Sequence, residues 1–151
     1  MIVIDRYDPR KDKEEVLEIF EDFIENKSYF FSHKERFETE LNKRVLDLKY
    51  RNSIILAKEN GKIVGAGFVS TYIDILGNEN CVIHQVMTKK EDSYKRSIEE
   101  RIIRELMKYV KNTLKINKAY IQCCDSDGAL RSLLLKLGIK KSKEVLYETE
   151  L

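Results

Sequence analysis

A histidine, a cluster of cationic and hydroxyl side chains and the start of a long helix lie close together in this chain. The stretch from Cys81 to Asn112 reads CVIHQVM, then TKKEDSYKRS, then IEERIIRELMKYVKN. His84 sits within the apolar run, and an imidazole titrates near neutral pH, so it is a candidate general base. Tyr94, Lys95, Arg96 and Ser97 precede an amphipathic segment. The free N–H groups and the dipole at a helix N-terminus favour an anion, and a cation pair with a hydroxyl beside them suits a phosphate. Ser97 is also a good N-cap, so an ordinary charged loop with a helix cap accounts for the same residues. For His84 the plain alternative is a buried, hydrogen-bonded histidine.

The elements that must position these groups follow from periodicity. Ile98, Ile102, Leu106 and Val110, flanked by Ile103 and Met107, form one apolar stripe and predict a helix to Asn112. Cys81–Met87 predicts a strand feeding it. Upstream, IVI within Met1–Arg6 predicts a strand, and Asp8-Pro9 predicts a helix N-cap and first position. Val16, Ile19, Phe20, Phe23 and Ile24 make that helix's apolar face. Ser28–Phe31 interrupts, and Ser32-His33-Lys34-Glu35 reads as a capping box for a second helix with Phe37, Leu41, Val45 and Leu48 as its stripe. Many charges on this helix, Arg44 among them, read as a solvated face.

Ser53–Lys58 predicts a strand, and Glu59-Asn60-Gly61-Lys62 a hairpin turn, since Asn-Gly adopts the positive φ values of a type I′ turn. Ile63–Leu76 is the return strand; Gly65 and Gly67 within it mark a bulge or a close backbone approach. Gly77–Asn80 is a turn. Ala119–Cys124 predicts a strand, Ala129–Leu137 a short helix stopped by Gly138 at C′, and Val145–Glu150 a closing strand. The predicted order is β-αα-β-β-β-α-β-α-β: an α/β (α+β) fold with a mixed, mostly antiparallel sheet, one parallel crossover and helices on both faces.

At 151 residues the chain suits one domain spanning 1–151, and 42% hydrophobic residues suffice for a core. Charged residues reach 36%, yet the formal net charge is only +2, without the basic excess of a nucleic-acid binder. No apolar run approaches membrane-span length and no signal-peptide order is present, so a cytoplasmic protein without a membrane partner is expected. Three cysteines lack metal-type spacing; reduced thiols and no metal are expected.

Three segments together resemble the GNAT superfamily of acyl-CoA N-acyltransferases over nearly the whole chain. AKENGKIVGAGFV is similar to the family's hairpin, VIHQVMT with its loop and helix to its cofactor-binding motif, and ALRSLLLKLGI to its terminal helix and turn. The resemblance implies acetyl-CoA between two central parallel strands. The backbone of Gln85, Val86 and Met87 would pair with the pantetheine arm, and Tyr94, Lys95, Arg96, Ser97 and Ile98 would stand at the pyrophosphate. An amine of a small-molecule or peptide acceptor would attack the thioester directly. His84 would serve as base, and Cys124, with Asp125 and Ser126 where thiol-leaving chemistry occurs, as substitute acid. The aromatic run Tyr29-Phe30-Phe31 would wall the acceptor side or plug the space between helices. The sequence departs from the family pattern in two places: no glycine lies between Gly77 and Gly128, and Leu134 stands at the usual tyrosine position. A catalytically inactive binding or regulatory module is the alternative. Either reading is compatible with a homodimer whose Val145–Glu150 strands pair.

Overall fold

The structure, a computed structural model, describes residues 1–26, 32–92 and 96–151, with Asn26 and Arg96 as main chain only. In chain order the elements are β1 (Ile2–Arg6), α1 (Lys13–Asn26), α2 (Lys34–Leu46), β2 (Ile55–Glu59), β3 (Lys62–Gly67), β4 (Val69–Ile73), β5 (Glu79–Ile83), β6 (Met87–Thr88), α3 (Arg96–Asn112), β7 (Ala119–Ile121) and α4 (Gly128–Lys136). The mixed, mostly antiparallel architecture is as predicted. A four-stranded sheet runs β1-β2-β3-β6 and a three-stranded one β4-β5-β7. Among the described residues the one parallel pair is β5 with β7, joined through α3.

Apolar side chains alternate along the strands and build two cores. Ile55 and Ala57 point into one with Ile98, Ile102, Leu106 and α4's Leu130 and Leu133. Ile54 and Leu56 point into the other, with Val16 and Ile19 of α1 and Leu41 of α2. The sheet is therefore sandwiched between α3 with α4 and α1 with α2.

The Asn60-Gly61 turn has φ of 53° and 78°, as a type I′ hairpin requires. Gly65 and Gly67 permit a close approach. A Cβ on Gly67 would lie 2.2 Å from Ile102 Cγ2, and one on Gly65 2.6 Å from Ile98 Cγ2. Gly138, at φ 80°, ends α4 in a Schellman arrangement: Ile139 N–H donates to Leu134 O at 2.9 Å and Gly138 N–H to Leu135 O at 3.0 Å.

Four boundaries differ from expectation. The chain makes a turn at Asp8–Asp12, where the Asp12 carboxylate accepts the Asp8 N–H at 2.9 Å, and α1 starts only at Lys13. His33, not Ser32, precedes α2, and its side chain makes no cap bond. The hairpin after β4 turns on Asp74, whose Oδ1 accepts the N–H groups of Leu76 and Asn78, so Glu79 and Asn80 already belong to β5. Val145–Glu150 is not a strand: it has no ladder partner, and Leu146 and Tyr147 are exposed. β-propensity expresses itself only where a neighbouring strand and a packed face are available. The predicted interrupting run Ser28–Phe31 lies outside the described residues. Among the described residues, no helix is long and apolar enough to cross a membrane.

Gly67→Ala should destabilise the fold by about 1–3 kcal/mol, because Ile102 is β-branched, fully buried and cannot yield. Urea unfolding measures this, and an unchanged midpoint would mean that α3 does not rest on β3 so closely.

Candidate functional site

The predicted return strand Ile63–Leu76 and the predicted strand Cys81–Met87 are both interrupted, and opposite one another. Ala66 faces Met87, and Val69 faces Ile83. Four steps from Ile83 to Met87 thus oppose three from Ala66 to Val69, so the β5–β6 strand carries one extra residue. That is a β-bulge, which bends the strand, ends local pairing and re-aims side chains. His84 N–H anchors it, donating to Phe68 O at 2.9 Å.

The bulge also ends the parallel ladder. Cys81, Val82 and Ile83 pair with Ala119, Tyr120 and Ile121, and Gln122 N–H makes the last bond, to Ile83 O at 2.9 Å. Beyond it β6 pairs with β3 alone and stands at the end of its sheet, while the chain after β7 turns into the Cys124–Asp127 loop. The sheet therefore opens between β6 and the residues that follow β7.

His84 stands at the head of this opening, half-buried. Its Nε2 lies 2.6 Å from Ser70 Oγ, and its Nδ1 lies 3.1 Å from Gln122 Oε1. Arg44 Nη2 donates to Ser70 Oγ at 2.6 Å, its Nη1 to Val69 O, and its Nε to Glu40 Oε1 at 3.3 Å. The guanidinium lies 5.0 Å from the centre of the Tyr50 ring. One assignment of hydrogens satisfies every group. Ser70 Oγ accepts from Arg44 and donates its own proton to Nε2, while Nδ1–H donates to Gln122. The imidazole is then neutral. Burial, with the Arg44 charge adding to it, holds His84 below its ordinary value, against the opposing Gln122 bond and Glu40 charge.

Arg44, Ser70 and Gln122 are not among the residues singled out by sequence. Arg44 carried a signal. It lies at i+3 from Leu41 and i+7 from Phe37, on the apolar stripe of α2 rather than on its solvated face. Ser70 and Gln122 carried none, because their roles depend on the bulge.

A cavity of about 150 Å³ adjoins His84, lined by Phe37, Glu40, Leu41, Arg44, Phe68 and Met87. A second cavity, about 410 Å³, lies between the end of β1 with residues 7–9 and Arg51 and shares no residue with it. Tyr7 lines that second space, its phenol pushed up to about 12 by burial first and then by Asp12 and Asp8.

Of the other predicted site residues, Gln85 and Val86 are buried within the bulge and Met87 is half-buried in β6. Tyr94 and Lys95 lie outside the described residues, as does the side chain of Arg96. Ser97 is exposed in the first turn of α3. The Ile98 side chain is fully buried against Gly65, so toward a ligand it offers main chain only. Cys124 lies just past Gln122, half-buried. Ser126 Oγ donates to its Sγ at 3.7 Å, and its carbonyl accepts Asp127 N–H at 2.9 Å. Leu134 is buried in the core with α3. Tyr29, Phe30 and Phe31 lie outside the described residues.

No protein-family model and no curated protein sequence matches the chain. Solved structures do, end to end. An aminoglycoside N-acetyltransferase in complex with CoA superposes with TM-score 0.77 at 8% identity, covering 99% of this chain and 95% of that one. An aminoglycoside acetyltransferase from an uncultured soil metagenomic sample, in complex with sisomicin, gives 0.71 at 13% over 99% and 95%. The fold is that of the GNAT acetyltransferases. A transcriptional regulator from Bacillus halodurans shares this GNAT fold too, with TM-score 0.72 and 16% identity over 99% and 100% of the two chains. The fold is thus established independently of any activity.

The His84 assignment has a thermodynamic consequence. Because the folded-state value is lowered, the unfolded chain binds a proton before the folded one does. Stability is complete above the unfolded value near 6.5 and declines as pH falls from there through the lower folded value. A melting midpoint that drops across this window in the parent protein, and stays flat in His84→Gln, is the expected result.

Proposed function

We propose that the protein is an N-acetyltransferase that moves an acetyl group from acetyl-CoA to a primary amine. The observation that carries this reading is the bulge at His84–Val86. It ends the β5–β7 ladder and leaves β6 with an open edge beside a cavity reached by His84. An open strand edge offers N–H and C=O groups to an amide-bearing chain such as pantetheine. Gln85, Val86 and Met87 are assigned to that arm. The first turn of α3, with Arg96, Ser97 and the Ile98 main chain, is assigned to the pyrophosphate together with Tyr94 and Lys95. Cations and a hydroxyl there stand in for a glycine-lined cradle. Aminoglycoside acetyltransferases of the same fold, one of them solved with CoA, support the reading.

Acetyl-CoA supplies an activated acetyl group and a thiol leaving group. The nitrogen of the acceptor amine bonds to the thioester carbon, and the C–S bond breaks. The chain's residues must remove a proton from nitrogen and return one to sulfur. His84 is assigned the first task. Its Nε2 lone pair already accepts the Ser70 hydroxyl proton, so the amine proton passes to Ser70 Oγ as the serine proton moves to Nε2. Cys124 is assigned the second, since transfer from one thiol to another thiolate is nearly balanced. A second reading, a GNAT-fold module without catalysis, is favoured by one observation: Leu134 is sealed in the core where the family's tyrosine would donate a proton. A transcriptional regulator has the same fold.

Calorimetric titration with acetyl-CoA, with free CoA as control, decides between binding and its loss. Micromolar affinity, weakened when Lys95 and Arg96 are both changed to Ala, is the expected result; no heat up to millimolar concentration would leave the non-catalytic module. In a thiol-release assay, His84→Gln and Ser70→Ala should each lower turnover by about 10²-fold or more with acetyl-CoA affinity unchanged. Equal affinity and full turnover in Ser70→Ala would remove the relay.

A further inference from the structure

The cavity beside His84 has a composition that selects among amines. Phe37 and Leu41 of α2 face Phe68 and Met87 of the sheet across it. Phe37 stacks on Phe20, ring centres 4.2 Å apart and planes at 5°, and meets Phe68 edge-on at 5.9 Å and 85°. The two rings bordering the cavity are therefore fixed in orientation by their neighbours. Most of the polar atoms in the described lining are already engaged. Each Arg44 nitrogen has an acceptor for one N–H, and both ring nitrogens of His84 are bonded. Little hydrogen-bonding capacity is left for a polyhydroxylated ligand. Among the described residues the one carboxylate in the lining is Glu40, more than half exposed and bonded through Oε1 to Arg44.

We infer that this cavity receives the aromatic ring of an arylalkyl primary amine, and that such amines are the acceptor class. Its assignment as acceptor rests on the acetyl-transfer reading; the assignment of the cavity's ligand rests on the lining alone. The volume, about 150 Å³, matches that of an apolar cavity that takes up benzene. The crossed Phe37 and Phe68 rings offer the edge and face contacts that aromatic rings prefer. A ring seated there would carry its amine on a short alkyl arm toward His84, which lines the same cavity. Glu40 is placed to meet a single ammonium as the ligand enters. An amino sugar or a polyamine needs several carboxylates and many hydrogen-bond partners, which the described residues of this lining do not offer.

The test is a ligand series on the intact protein. Phenethylamine, ethylamine, spermidine and sisomicin are titrated in calorimetry without CoA, then compared as acceptors by thiol release from acetyl-CoA. Phenethylamine is expected to bind, and to exceed ethylamine by at least about tenfold in both affinity and kcat/KM, since the ring is the added apolar contact. Phe37→Leu, which keeps an apolar side chain but removes the ring, should narrow that ratio while acetyl-CoA binds as before. Equal use of phenethylamine and ethylamine, or preference for spermidine or sisomicin, would overturn the inference and leave acetyl transfer standing. Binding of phenethylamine with transfer to no amine would refute acetyl transfer and leave the cavity's ligand class in place. No binding of phenethylamine would overturn the assignment of the cavity.

Discussion

The structure depends on how closely α3 can approach the sheet. Ile98, Ile102 and Leu106 rest on the backbone of β3 because Gly65 and Gly67 have no side chains there. Packing at that distance is a steric fit of two β-branched isoleucines and a leucine against main chain, so it tolerates little displacement. The start of α3 is tied to β6 by residues 89–95 alone. Seating α3 on β3 therefore also holds the helix N-terminus near the strand whose edge is open. A glycine pair in one strand sets the position of the first turn of a helix that follows much later in sequence.

The bulge is the second constraint, and it works through hydrogen-bond direction. One extra residue between Ile83 and Met87 turns His84 toward Ser70 and Gln122. From there the donors and acceptors run one way, from Arg44 to Ser70 to His84 to Gln122. A buried guanidinium is costly unless each nitrogen has a partner, and here Val69 O, Ser70 and Glu40 supply them. The chain is polarised by that fixed cation. Burial favours the neutral imidazole first, and protonating His84 would also reverse the Ser70 bond and add a second charge close to the first. α2, the sheet break and the end of β7 are thereby joined through four polar side chains.

Much of this was legible in the sequence because it is local. The Asn60-Gly61 turn, the Gly138 stop, the stripe of α3 and the order of elements follow from periodicity and backbone preference. Even the close approach at Gly65 and Gly67 could be read as one of two alternatives. The bulge could not, since it is a mismatch between two strands and neither strand alone contains it. With the bulge hidden, His84 was visible as a residue but its partners were not. Arg44 was misread because composition was judged over the whole helix face rather than at its position on the stripe. Val145–Glu150 failed for the converse reason: its β-propensity is real, but propensity alone does not supply a partner.

The two departures from the family pattern bear unequally on acetyl transfer. A thiolate is a stable leaving group, with a parent thiol of pKa near 8.5. Protonating it is a modest task that solvent or a neighbouring thiol can perform. Losing the tyrosine at Leu134 therefore removes assistance where chemistry needs least. The amine is different: once its nitrogen is bonded to carbon, that nitrogen must shed a proton before the C–N bond is secure. On the acetyl-transfer reading an imidazole with a hydroxyl relay would meet that need, and burial, with the Arg44 charge adding to it, favours its neutral form. The glycine-free loop bears on binding instead. On the proposed reading, binding without loop glycines would depend on Lys95 and Arg96 reaching the phosphates. If the proposed base and loop assignments both hold, the transferase would be limited by its hold on acetyl-CoA rather than by proton removal.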